Sequence, residues 1–171
     1  MKKTLIVLAL FAVMVACNNR NNSSSDSTAA QQNLEAAHNI SKAFQSGDTS
    51  LISKSAAINF IDHKDYGDVK GIDSLKAFVL ASHEHIKNLK MEIVKELADD
   101  EYVMSWIQFS GTGDGQGGTM QGDFNVRGVE ITKFKNGKAT EHWEAMDMRD
   151  VSKMIDKLTP DTTLPDSTNT Q

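Results

Sequence analysis

Apolar positions change their spacing twice along this 171-residue chain. Leu34, Ala37, Ile40 and Phe44 recur at helical intervals, which predicts a helix that Gly47 ends. Asp48 stands where a cap is needed for a short second helix carrying Leu51 and Ile52. "AAINFID" is β-branched and apolar and predicts a short strand at residues 58–62. "GIDSLKAFVLASHEHIKNL" returns to the helical period, with Leu75, Phe78, Val79, Ser82 and Ile86 as its apolar stripe and Asp73 or Ser74 as its cap.

From there the period becomes two. "KMEIVKELADD", "EYVMSWIQFSG", "GDFNVRGVEITKFK" and "KATEHWEAMDM" predict four consecutive strands, and "DVSKMIDKL" predicts a short closing helix. Helices grouped before a meander predict an α+β fold in which helices cover one face of a curved antiparallel sheet. No internal repeat is present.

The two ends read differently. "MKK" is followed by the apolar run "TLIVLALFAVMVA", too short to span a bilayer comfortably, and then by Cys17. This is the three-part logic of a secretory signal. With cysteine at the junction it resembles a bacterial lipoprotein signal, although Met14 stands where such signals usually carry Leu. The resemblance implies removal of residues 1–16, lipidation of Cys17 and anchoring in the cell envelope; an ordinary cleaved signal is the alternative. Residues 17–29 are almost free of apolar side chains and predict a flexible tether. Residues 159–171 hold both prolines and predict a disordered tail, leaving a domain at 30–158.

Charge narrows the partners. The net charge is −5, and about −7 without Lys2 and Lys3. No basic cluster is present, which argues against nucleic acid and against docking on anionic lipid through a basic patch. Cys17 is the only cysteine and can form no internal disulfide. "GDGQGG" matches G-x-G-x-x-G through Gly113, Gly115 and Gly118, but strands are predicted on both sides. A hairpin loop accounts for it better than a dinucleotide site, which needs a helix to follow. His83 and His85 lie two apart on a helix and point too far apart to share an ion. No metal or other cofactor is expected.

Chemistry concentrates in "TEHWEAMD", residues 140–147. The preceding "FKNGKA" allows a two-residue turn that pairs Lys135 with Lys138. It also allows a three-residue loop with Gly137 in a left-handed bulge that pairs Phe134 with Lys138. The second is favoured; it sets Glu130 opposite His142 and Gly128 opposite Glu144. Period two then gathers Phe124, Val126, Gly128, Glu130, Thr132, His142, Glu144 and Met146 on one face. A histidine between two carboxylates on a covered face suits acid–base chemistry; on an open face it is a surface ion cluster. The opposite parity would turn Trp143 and Asp147 inward instead.

"NFIDH", "DEYVMSWIQFSGTGDG" and above all "VEITKFKNGKATEHWEAMD" resemble the SnoaL-like polyketide cyclase family of the nuclear transport factor 2-like superfamily. The resemblance implies a cone of three helices packed into a bent antiparallel sheet, with a pocket at its open end. It implies that the acid of the family's EHWD motif falls on Glu144, as general acid or base with His142 as its partner. It further implies a second acid at Glu130 and a "DH" pair, Asp62 and His63, at the pocket mouth. Glu in place of Asp moves the carboxyl by about 1.5 Å, and the first helix lacks a tyrosine that some cyclases use. Phe124, Val126 and Met146 are the expected apolar lining, and a small apolar carbonyl compound is the expected ligand. The alternative is a lipoprotein that only binds such a ligand. The outer sheet face, with Trp143, Val129 and Ile131, is where a homodimer is expected to form.

Overall fold

Thr28 opens the first helix with both halves of a capping box. Its Oγ1 accepts from the Gln31 amide at 3.3 Å, and the Thr28 amide donates to Gln31 Oε1 at 2.9 Å. The computed structural model describes residues 28–117 and 119–158. The expected signal, Cys17, nearly all of the tether and the tail therefore fall outside the described residues. Ten elements follow: α1 (Ala29–Ser46), α2 (Thr49–Ser55), β1 (Ala56–Lys64), β2 (Gly67–Lys70), α3 (Ile72–His85), β3 (Ile86–Ala98), β4 (Tyr102–Asp114), β5 (Gln121–Lys135), β6 (Lys138–Met146) and α4 (Met148–Leu158).

Gly47 closes α1 in the left-handed region at φ 73°, and Asp48 caps α2 by accepting from the Ser50 amide at 2.9 Å. The start of α3 differs from expectation. Neither Asp73 nor Ser74 caps it; Gly71 does, at φ 93°, with no side-chain bond. The short strand β2, which the periodicity does not mark, feeds straight into that glycine. The Gly71 amide donates to the Phe60 carbonyl at 2.7 Å, so backbone rather than side chain fixes the entry.

The fold is α+β, with four helices and a six-stranded sheet in the order β2-β1-β6-β5-β4-β3. The sheet is mixed rather than antiparallel, because β1 runs parallel to β6. Connectivity permits this: α3 and the whole meander lie between the two strands, and such a crossover can return the chain in the same direction.

The hairpin β5–β6 also departs from the favoured register. Asn136 at φ 53° and Gly137 at φ 67° form the two-residue turn, pairing Lys135 with Lys138. Phe134 pairs with Ala139, but Lys133 pairs with Glu141, so Thr140 is an extra residue, a β-bulge whose Oγ1 donates to the Lys133 carbonyl at 3.2 Å. Beyond the bulge Glu130 lies opposite Glu144, Thr132 opposite His142 and Gly128 opposite Met146. The partners have slid by two residues from the expected pairs. Because side chains alternate with a period of two, the expected set still shares one face.

The main core packs α1, α2 and α3 onto the sheet through Ala43, Ile52, Phe60, Val79, Val103 and Phe134. A smaller cluster of Ile86, Phe124 and Val126 fills the other end, joined by Phe109, Met120, Met146 and Met154. The cavity lies where the two clusters meet.

Candidate active site

Alternation along β1 sends Phe60, Asp62 and Lys64 to the covered face of the sheet. Alternation along β6 sends His142, Glu144 and Met146 to the same face. The parallel register sets Asp62 beside His142. Together with Glu130 and Thr132 of β5 they form one wall of a cavity of about 150 Å³. The other walls are largely apolar, from Ile40 and Phe44 of α1, Leu75 and Phe78 of α3, Ile107 and Phe109 of β4, and Met120.

The polar wall is a connected network. Asp62 is buried, and its Oδ1 lies 2.9 Å from His142 Nδ1. Its Oδ2 pairs with Lys64 Nζ at 3.0 Å. The same ammonium stands 3.7 Å from Glu144 and 5.3 Å from the centroid of the Phe78 ring. Burial pushes the Asp62 carboxyl up, but the hydrogen bond and charge of His142, with help from Lys64, outweigh it and hold the group below its ordinary value. Burial likewise pulls Lys64 down, and the charge and hydrogen bond of Asp62, then Glu144, more than reverse it. Lys64 is therefore a fixed cation and not a nucleophile.

Glu130 differs from the other carboxyls. It has no hydrogen bond to any described residue. Part of its surface is open, but onto the cavity wall rather than bulk water. Burial is thus the largest influence on it and raises its carboxyl above the ordinary value, with the charges of Glu144 and Asp62 adding and those of His142 and Lys64 opposing.

Of the expected site residues, Glu130, His142, Glu144, Asp62 and Met146 all line the cavity. The histidine is not flanked as expected: its hydrogen-bonded carboxylate is Asp62, and Thr132 rather than Glu130 stands opposite it. The displaced hairpin register and the parallel strand explain both differences. His63, next to Asp62 on an alternating strand, points to the other face of the sheet and does not line the cavity. Phe124 and Val126 are buried in the smaller core cluster and are not part of the cavity wall. Lys64 is the participant the sequence reading missed. The signal was present, since in "NFIDHK" the same alternation that turns Asp62 inward also turns Lys64 inward. Among the described residues, no group of His, Cys, Asp or Glu could hold a metal ion, and no helix is long and apolar enough to cross a membrane.

The sequence family described as SnoaL-like polyketide cyclase matches residues 34–154, which includes every residue of this network. The chain belongs to that family. Solved structures agree on the fold of this SnoaL-like protein. A SnoaL-like polyketide cyclase homologue from Jannaschia sp. CCS1 is 20% identical, with a TM-score of 0.66 over 78% of this chain and 97% of that one. A polyketide cyclase homologue from Bacillus cereus ATCC 10987 is 23% identical, with a TM-score of 0.60 over 74% and 82%. An LEH-like epoxide hydrolase from M. tuberculosis is 11% identical, with a TM-score of 0.63 over 75% and 88%. No curated protein sequence matches significantly.

The outer face of this SnoaL-like sheet carries a second histidine network. His63 Nδ1 is 2.8 Å from Asp68, its Nε2 is 3.2 Å from Glu141, and its ring stacks on Trp143 at 4.6 Å between centroids. The hydrogen bond that His63 donates to Asp68 is the largest influence and raises the imidazole above its ordinary value of 6.5; burial opposes it, and the bond to Glu141 adds to the rise. Imidazolium quenches indole emission. In a Trp106→Phe background, Trp143 fluorescence is therefore expected to fall on acidification with a midpoint above 6.5. Asp68→Asn should bring that midpoint down; a titration with no such shift contradicts the assignment.

Proposed function

We propose that this SnoaL-like protein is a cofactor-free proton-transfer enzyme acting on a small apolar carbonyl compound, of the isomerase, cyclase or lyase kind. The carrying observation is the Asp62–His142 pair beside an unpaired, partly buried Glu130 on one cavity wall. A carboxylate on Nδ1 fixes the tautomer that leaves the Nε2 lone pair for a substrate proton. Glu130, whose burial favours the protonated carboxyl, is suited to give a proton to the carbonyl oxygen. The family resemblance gives Glu144 the acid–base role; here it stands 3.7 Å from the Lys64 ammonium.

Solvent-deuterium exchange at the α-carbon of a panel of cyclic ketones, followed by NMR, tests the reading. His142→Gln is expected to lower the exchange rate by roughly 10²- to 10⁴-fold and to leave ketone binding nearly unchanged. Binding of the ketones without any exchange by the parent chain favours the alternative, a protein that only binds its ligand.

Two further features belong to this reading. The first is attachment to the cell envelope through lipid on Cys17, checked by incorporation of labelled palmitate that Cys17→Ala abolishes. The second is a homodimer through the outer sheet face. There Leu97, Met104, Ile131 and Trp143 follow one another across four strands, with Trp106 beside Val129. Leu97, Met104 and Trp106 are 64%, 42% and 46% exposed, enough apolar surface to favour a second copy. A monomeric mass in sedimentation at high concentration removes the dimer.

A further inference from the structure

Glu130 and Glu144 stand directly opposite each other on β5 and β6, and both line the cavity. Side chains so placed have Cβ atoms about 5 Å apart, where like charges repel. One ammonium, Lys64, serves two carboxylates: it pairs with Asp62 at 3.0 Å and reaches Glu144 only at 3.7 Å. Glu130 is deeply set and has no hydrogen-bond or ion-pair partner among the described residues. Asp62 thus takes the near contacts of both His142 and Lys64, and Glu144 is left with no cation closer than 3.7 Å among the described residues. The remaining surface is largely apolar and includes Phe44, Phe60, Phe78 and Phe109. Lys64 Nζ, 5.3 Å from the Phe78 centroid, already uses one of these rings as a cation platform.

From this opposed carboxyl pair in a phenyl-lined cavity we propose that the ligand carries a basic nitrogen, bound as an ammonium on Glu144 with Glu130 accepting a second hydrogen bond. A monovalent organic cation gives Glu144 a close partner of opposite charge and leaves His142 Nε2 free. It also places the apolar remainder of the ligand against the phenyl rings. A neutral ligand leaves Glu144 without such a partner, and an anion sets a further like charge against it. Glu144 then serves as an anchor, and proton transfer belongs to His142. The inference rests on the cavity of the proposed function and narrows its substrate class to apolar amino ketones.

Calorimetric titration of the full chain with cyclohexylammonium, cyclohexanol and cyclohexanecarboxylate near neutral pH tests it, since the three share a ring and differ in the head group. The ammonium is expected to bind tighter than the alcohol by roughly tenfold or more, and the carboxylate weakest. Glu144→Gln should cancel that preference while the alcohol still binds, which reports a folded cavity. The proposal is overturned if the alcohol or the carboxylate matches the ammonium in the parent chain, or if Glu144→Gln keeps the preference. Ketone exchange is read separately. Its absence removes the enzymatic reading without altering these binding ratios, and a lost ammonium preference leaves the exchange result standing.

Discussion

Glu130→Gln is expected to yield a protein that is more stable than the parent at neutral and alkaline pH and nearly inactive. The folded chain holds the Glu130 proton more tightly than the unfolded chain, whose carboxyl keeps a value near 4.5. Below that value both states are protonated and the group contributes nothing. As pH rises from 4.5 towards the folded value, the unfolded chain loses its proton first, so stability falls, by at most about 1.4 kcal/mol per pH unit for one proton. Above the folded value the penalty is constant. Glutamine has nearly the same shape and no charge to desolvate, so the variant lacks this decline. Thermal melts across the pH range should therefore converge in acid and separate above it, with the variant higher. Ketone exchange should fall by roughly 10²- to 10⁴-fold, because the amide cannot donate the carboxyl proton. A variant that melts lower than the parent at pH about 8 contradicts the burial argument, and one that retains exchange removes Glu130 from the mechanism.

Asp62→Ala should be among the most damaging single changes in the cavity. Asp62 holds His142 on one oxygen and Lys64 on the other. Its removal leaves a largely buried ammonium with only Glu144, 3.7 Å away. Breaking a buried pair in this way costs about 3–5 kcal/mol. Adding Lys64→Met to the same chain is expected to recover part of that loss, because the stranded charge goes with it. The pH dependence has a definite sign. The folded Asp62 carboxyl lies below its ordinary 3.8, since the partners outweigh burial. Its contribution is complete above 3.8 and disappears as pH falls through the folded value. The parent should therefore lose this stability only in strong acid, and Asp62→Ala should lack that limb. Asp62→Asn retains the shape but not the charge, and should reduce exchange more than it reduces stability. Denaturant titrations of the single and double variants at two pH values decide all of this.

How far the sequence reveals the site depends on the range of the contacts involved. The α1 stop at Gly47 and the cap at Asp48 are local, and both are found where the pattern predicts them. The inward face of β5 and β6 is also legible, because the turn and the bulge together keep the expected parity. The individual pairs are not legible. The Thr140 bulge depends on how two twisted strands meet, and nothing in "KATEHW" marks it. β2 is four residues long and too short to show a period. The partner of His142 is hidden for a different reason: it is supplied by a strand that joins the sheet from far away in the chain. Lys64 was within reach of the alternation rule and became meaningful only once Asp62 was seen to bridge it to the histidine.

The parallel pair β1–β6 carries a consequence for how the protein becomes functional. Asp62 and His142 are 80 positions apart, and no hairpin brings them together. Local meanders close quickly; a junction between distant segments must first overcome the entropy of a very long loop. Refolding chains should therefore regain most of their circular dichroism before they regain any turnover. The proposed proton-transfer centre matures last, when the early part of the polypeptide docks on its final strand.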